Sequence, residues 1–369
     1  MFKLIKTKKN GLRQGEIKIP HGLLKTPFYM PDATRGFVKL TDNHDLIRTD
    51  TRALVVNTFH LYLQPGLKTI KKAGGIHKFM NWDGPLLSDS GGFQVFSLIH
   101  KNSHMGKIKD EGVTFKSPLD GSWHELTPEK SIQIQFELGV DMMVCLDDCP
   151  PNEFARADLE IAVERTLRWA KRCRQEYDKQ LKKRRLPETK RPLLFAVIQG
   201  GAEIDLRAYC AAELVKIGFD GYGFGARPID KQGNFLEAVL RQTATFIPKT
   251  AIRFALGIGT PEDIKRCALM GWDIFDCVIP TREGRHGRLF LEVKSVKNNL
   301  KYQTINISNA KFAGDFSSIN KNSALPELRS HSRAYLHHLF RLKEPLGQKL
   351  ASLNNLEFYQ KLLKNLDKI

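Results

Sequence analysis

Three stretches of this 369-residue chain place a carboxylate where an apolar run ends. In Leu86-Leu87-Ser88-Asp89-Ser90-Gly91-Gly92-Phe93 the acid is followed by a small hydroxyl residue, paired glycines and a helical pattern. Paired glycines let a ligand come close to the backbone and leave amides free at a helix start. The plainer reading makes Asp89 the cap of a tight strand-to-helix turn. Val144-Cys145-Leu146-Asp147-Asp148-Cys149-Pro150-Pro151 ends in adjacent acids. Such a pair could bind a metal, cap a helix, or accept two N–H donors side by side, as the N1–H and 2-amino edge of guanine presents them. In Trp272-Asp273-Ile274-Phe275-Asp276-Cys277-Val278 an acid lies inside an apolar strand, which is costly unless the acid is partnered or functional. A basic loop with Arg282 and Arg285 follows at once.

The elements that must carry these residues form a repeating pattern. Strand candidates fall at Phe28–Met30, Arg52–Thr58, Pro85–Ser88, Asp141–Leu146, Leu193–Gln199, Gly221–Gly225, Ile252–Gly257 and Trp272–Val278. Amphipathic stretches lie between them at Thr127–Leu138, Phe154–Lys179, Glu203–Ile217, Phe235–Phe246 and Pro261–Gly271. Strand–helix alternation of this length predicts an α/β fold, a (β/α)8 TIM barrel, with a doubly wound open sheet as the competitor. Asp89, Asp147, Gln199 and Asp276 all sit at C-terminal strand ends, where barrel active sites are built. Residues 1–290 are expected to hold the barrel with N-terminal strands, turning at Asn10-Gly11 and His21-Gly22 to form an antiparallel cap. Residues 291–369 are expected to form a C-terminal strand and helical subdomain, with helices at Ser332–Leu342 and Leu346–Leu366. The basic run Lys179–Arg191 reads as a solvated loop, with a tRNA contact as the alternative.

Lys and Arg total 58 against 40 Asp and Glu, a net charge of +18 that favours polyanionic partners. Hydrophobic residues at 41% supply a sizeable core. No run of about 18 apolar residues occurs, so no spanning helix and no membrane partner is expected. The first residues are basic without an apolar segment, which argues against a secretory signal. The six cysteines follow no framework spacing and read as reduced, buried thiols of a cytoplasmic protein.

Together with Asn57-Thr58-Phe59-His60-Leu61, Ile198-Gln199-Gly200-Gly201, Gly218-Phe219-Asp220-Gly221-Tyr222-Gly223, Leu256-Gly257-Ile258-Gly259 and the tail motif Ser332-Arg333-Ala334-Tyr335-Leu336-His337-His338-Leu339, these segments resemble the bacterial tRNA-guanine transglycosylase (queuine tRNA-ribosyltransferase) family, in order along nearly the whole chain. The resemblance implies exchange of the wobble guanine of a tRNA anticodon for a 7-deazaguanine base through a covalent aspartyl–ribose intermediate. Asp276 matches the nucleophile and Asp89 the residue of proton transfer. Asp147 and Gln199 match residues holding the base edge, and Phe93 the aromatic that stacks on the base. Cys149, Ala226, Arg227, Leu256 and Gly257 fall at base-pocket positions, and Arg282 and Arg285 match residues gripping the anticodon. A homodimer is compatible with the resemblance. The competing readings are a non-catalytic tRNA-binding paralogue and a base-exchange enzyme acting on DNA or another RNA.

Two departures stand out. The family's structural zinc ligands, three cysteines and a histidine, correspond here to Ser323, Leu325, Leu328 and Asn354, so no metal and no cofactor is expected. An apolar cluster of the two leucines is expected to do the cross-linking instead. The loop that usually reads Gly-Gly-Leu-Ala/Ser-Val-Gly-Glu reads Gly225-Ala226-Arg227-Pro228-Ile229-Asp230-Lys231, placing two cations near the base's 7-substituent.

Overall fold

The computed structural model describes residues 1–151, 154–296 and 299–366. Strands β1 (Phe2–Thr7), β2 (Arg13–Ile19) and β3 (Gly22–Thr26) form an antiparallel sheet that turns at the two expected glycines. Eight parallel strands follow: β4 (Phe28–Pro31), β5 (Leu54–Asn57), β6 (Leu86–Asp89), then, after a small antiparallel sheet of β7 (Gly106–Ile108), β8 (Val113–Lys116) and β9 (Trp123–Leu126), β10 (Met142–Val144), β11 (Leu193–Ile198), β12 (Gly221–Phe224), β13 (Ile252–Ala255) and β14 (Ile274–Cys277). Their spatial order is β4-β14-β13-β12-β11-β10-β6-β5. The ring closes between β4 and β5 through the Asp32–Val55 bridge and the amide of Ala33 on the Val55 carbonyl, 2.7 Å. The expected barrel is therefore present, and each of the eight expected strands is one of its staves.

Helices form where the sequence provides starts and stops. Thr127 accepts the amide of Lys130, Pro128 takes the first helical position, and Gly139 ends the helix Pro128–Leu138 in a left-handed conformation. Thr260 and Pro261 begin Pro261–Leu269 in the same way. The helix after β10 runs from Arg156 to Arg184, so the first half of the basic run is helical rather than loop. Long cationic side chains are good helix formers, and Arg184 pairs with Glu137 on the neighbouring helix, which holds the added turn in place.

The tail divides its packing. The hairpin of β15 (Arg288–Val296) and β16 (Asn299–Asn306) and the helices Pro326–Ser330 and Arg333–Arg341 enclose their own apolar cluster, which includes Leu289, Ile307, Leu328 and Leu336. The final helix, Pro345–Leu366, joins both: Leu350, Ala351 and Leu353 complete the tail cluster, and Phe358, Tyr359, Leu362 and Leu363 enter the barrel core. The Tyr359 hydroxyl donates to the Gly259 carbonyl at 2.6 Å, and Gly284 lies so close to Ser352 that a side chain there would clash. Each buried aromatic or leucine contributes roughly 1.5–3 kcal/mol. Residues 367–369 at the end of the expected subdomain lie outside the described residues.

The N-terminal sheet covers the end of the barrel opposite the strand C-termini. Arg13 pairs with buried Asp273 at 3.1 Å and donates to the carbonyls of Lys249 and Ala251. Asp141, just before β10, accepts the backbone and the ring of His21 (3.1 and 2.7 Å) and the Leu86 amide (2.9 Å). Burial works to raise Asp141, but the bonds from His21, His77 and Leu86 lower it to about 2. The bond to Asp141 in turn raises His21. A histidine held above its unfolded pKa of about 6.5 stabilises fully below that value, and the contribution is lost as pH rises through the folded pKa. Chemical denaturation from pH 6 to 8.5 should show a decline in wild-type stability that His21→Asn makes shallower, the remainder coming from the buried acids raised to about 7. Asp141→Asn should cost about 1–3 kcal/mol at pH 7 by the same measurement.

Candidate active site

Side chains of a strand alternate between its two faces, and the barrel uses this to aim its acids. Leu87 and Ile274 point inward among the barrel-core residues, so Asp89 and Asp276, two positions further on, reach the same interior at the mouth. Gln199 follows Phe195 and Val197 on the inner face of β11. On β12 the inner positions are glycines. A Cβ on Gly221 would strike the Phe195 ring, one on Gly223 the Leu256 side chain, and one on Gly225 the Gln199 amide. This missing bulk leaves a cavity of about 290 Å³ over the strand ends. Of the residues expected at the site, Asp89, Phe93, Asp147, Cys149, Ala226, Arg227, Leu256, Gly257 and Asp276 all line it. Gln199 stands behind Asp147 and donates to it at 2.6 Å.

Asp89 accepts the amides of Thr58 and Gly91, each at 3.1 Å, and the side chain of Asn57. It thus shapes the strand-to-helix turn and faces the cavity, but it does not cap the helix as the plainer reading had it: Gly91 holds the cap position of Gly92–Lys101 in a left-handed conformation, without a side-chain bond. Burial raises it to about 7 against those bonds, with smaller contributions from Asp32 and Asp276. Asp276 accepts the Gly257 amide at 2.9 Å and is likewise raised to about 7, first by burial and then by Asp32. Burial also raises Asp147 to about 7. The adjacent acids have parted company: Asp147 faces the cavity, while Asp148 pairs with Arg165 on the helix Arg156–Arg184. Among the described residues the buried Gln199 Oε1 atom has no hydrogen-bond partner. Burial pushes the Cys149 thiol up to about 12, which suits a wall rather than a nucleophile.

Arg282 and Arg285 lie outside this cavity on the helix Ile279–Arg285 that leaves β14. Arg282 is half-exposed near Glu283. Arg285 lines a second depression of about 340 Å³ with Asp32, Arg35, Phe37 and Lys39. Lys231 sits on an exposed turn closed by Asp230 and Asn234, so only Arg227 of the two expected loop cations lines the cavity. Sequence reasoning missed Asp32. Its signal was an acid directly after the apolar run Phe28–Pro31, the grammar already used for Asp89.

The tail positions matched to zinc ligands do not make a metal-binding set. Leu325 and Leu328 are buried in the tail's apolar cluster, as expected of them. Ser323 and Asn354 belong to a hydrogen-bond network that was not expected. Glu357 accepts Ser323 Oγ at 2.5 Å and the Ala324 amide at 2.6 Å, while Asn354 accepts Asn320 at 2.9 Å and donates to the Phe290 carbonyl at 3.0 Å. Among the described residues, one group of metal-capable side chains does converge, namely His21, His77 and Asp141. The two imidazoles stack at 3.7 Å and 15°. A metal lies in the plane of each ligating ring, and two nearly parallel planes do not meet at one ion.

Fold and site define a (β/α)8-barrel enzyme with its acids gathered at the C-terminal mouth. Residues 8–368 match the family model described as queuine tRNA-ribosyltransferase. Similar proteins named queuine tRNA-ribosyltransferase, from Staphylococcus aureus strains bovine RF122 / ET3-1 and JH9, are each 40% identical over 366 residues, covering 99% of this chain and 91% of theirs. The chain belongs to the queuine tRNA-ribosyltransferase family, and its activity is that of a pentosyltransferase of the tRNA-guanine transglycosylase type. No helix among the described residues is long and apolar enough to cross a membrane.

Replacing Glu357 by Gln should lower stability by about 1–3 kcal/mol in urea unfolding while leaving base exchange intact, because the network fastens the tail and does not reach the mouth.

Proposed function

We propose that this enzyme exchanges the wobble guanine of a tRNA anticodon for a 7-deazaguanine base through an aspartyl–ribose ester. The observation that carries this reading is the pairing of Asp276 and Asp89 at one cavity mouth, with Asp147 on its wall and Gln199 bonded to Asp147 from behind. An ionised Asp276 attacks the ribose anomeric carbon and the glycosidic bond breaks. The departing guanine takes a proton from Asp89. The incoming base gives its proton to Asp89 and displaces Asp276, so two inversions yield net retention. The Asp147 carboxylate accepts the N1–H and 2-amino donors of the base while Gln199 holds it from behind, and Phe93 offers an exposed ring for stacking.

The reading extends to the polynucleotide. Arg282 and Arg285 flank the mouth where an extruded anticodon nucleotide would leave its neighbours, and the net charge of +18 draws tRNA in. The enzyme works in the cytoplasm and without zinc, the tail being fastened by Leu325, Leu328 and the Glu357 network. Exchange activity and melting temperature are therefore expected to be indifferent to chelators. One tightly held zinc per chain by elemental analysis, lost together with activity, would overturn that part.

Catalysis needs Asp276 ionised and Asp89 protonated, and both titrate at about 7. The kcat/KM profile for radiolabelled-guanine exchange should be bell-shaped around neutrality. It falls in acid as Asp276 takes a proton and in base as Asp89 loses one. Asp276→Asn should abolish exchange and adduct formation, and Asp89→Asn should slow turnover while an adduct still accumulates. Wild-type exchange by the Asp276 variant would sink the mechanism.

Arg227 at the cavity wall disfavours a cationic 7-substituent. In competition kinetics 7-cyano-7-deazaguanine or guanine should outcompete 7-aminomethyl-7-deazaguanine, and the reverse order would refute this assignment of Arg227.

A further inference from the structure

Arg207, in the first turn of the helix Ile204–Ile217, is completely buried, and among the described residues it makes no ion pair with a carboxylate. Burying a cation without a counter-ion is expensive, so its partners repay inspection. Nε donates to the Gly201 carbonyl at 2.7 Å, one terminal nitrogen to Ile198 at 3.1 Å, and the other to Gly225 at 2.9 Å. The guanidinium lies 4.0 Å from the Phe224 ring centroid. Burial lowers its pKa to about 9, which leaves it charged at neutral pH.

The three carbonyls belong to the two segments that leave β11 and β12 at the mouth. Ile198–Gly201 carries Gln199, whose amide contacts Asp147. Gly225 precedes Ala226 and Arg227, both on the cavity wall. Ala226 holds φ +78°, a left-handed conformation that a residue with a Cβ adopts only when its surroundings impose it. In a trans peptide the carbonyl and the next N–H point in opposite directions. With the Gly225 carbonyl turned to Arg207, the Ala226 N–H is turned the other way, towards Cys149 on the cavity wall.

We propose that Arg207 is the positioning residue of the base pocket: it locks the Gly225–Ala226 peptide, and with it the loop that lines the cavity, and it anchors the strand end that carries Gln199 behind Asp147. The planar fork matters because three carbonyls on two segments need donors in a fixed geometry, which an ammonium group does not offer. The inference rests on the base-exchange reading and adds a residue that fixes the two strand ends carrying Gln199 and Ala226. It acts on recognition of the free base and not on the grip of the tRNA.

The test compares Arg207→Lys and Arg207→Met with the wild-type full-length protein in guanine exchange. KM is measured separately for the base and for tRNA, with thermal unfolding in parallel. Both variants should raise KM for guanine by roughly ten-fold, the effect of one misaligned hydrogen bond, while KM for tRNA changes by less than about two-fold. Methylguanidinium added to Arg207→Ala should bring KM for guanine back towards the wild-type value. A folded Lys or Met variant with unchanged guanine KM would overturn the proposal. So would base and tRNA constants rising together, or variants that do not fold at all, since Arg207 would then serve stability alone. Absence of exchange by the wild-type protein would count instead against the base-exchange reading.

Discussion

A closed parallel barrel presents every second side chain of each strand to one shared interior, and the rest of this molecule depends on that constraint. The interior is filled by Met30, Val55, Leu87, Phe195, Phe254 and Ile274. At the mouth the same rows end in Asp89, Gln199 and Asp276. The chemistry is a continuation of the core, two residues further along each stave. Because the strands are short and fully buried, a one-residue slip would turn an acid into the helical layer, where no partner waits for it. Packing and the gathering of the acids therefore select the same register.

The cavity gathers carboxylates that repel one another in a poorly hydrated space. Burial raises Asp89, Asp147 and Asp276 alike, and Asp32 adds to the first and the last. The bonds each acid accepts then separate their roles. Asp89 takes backbone amides at a helix start, Asp276 takes one amide from the next strand end, and Asp147 takes the amide of Gln199. Acids held at about 7 can exchange protons near neutrality, which a carboxylate at its ordinary value does poorly.

The tail shows two ways of fastening a chain end. Its last helix fills the outer layer beside β4 and β14, with Tyr359 bonded to Gly259 and Gln360 close to the Tyr29 carbonyl. The preceding segment is held by Glu357 and Asn354 of that helix and by buried Leu325 and Leu328. A carboxylate bonded to a hydroxyl and an amide orients a loop as specifically as a metal does, without needing a free thiolate.

Sequence by itself determined the barrel, its eight strands and most of the helices, because apolar periodicity and capping residues act locally. It also located Asp89 and Asp276, since an acid at the end of an apolar run is legible without knowing what lies opposite. The helical start of the basic run was hidden, because its support, Glu137, comes from another helix. Glu357 was hidden for the same reason, its loop partners Ser323 and Ala324 lying more than thirty residues away. Between Asp147 and Asp148 only the tertiary structure decided. The chain leaves strand geometry after Val144, so alternation no longer says which acid turns inward. Arg165, seventeen residues on, takes Asp148 and leaves Asp147 to the cavity. Arg207 looked like any cation on a helix until folding brought three carbonyls from two strand ends around it. Local pattern fixes where a side chain starts, but the partner that gives it a role is supplied by contacts distant in sequence.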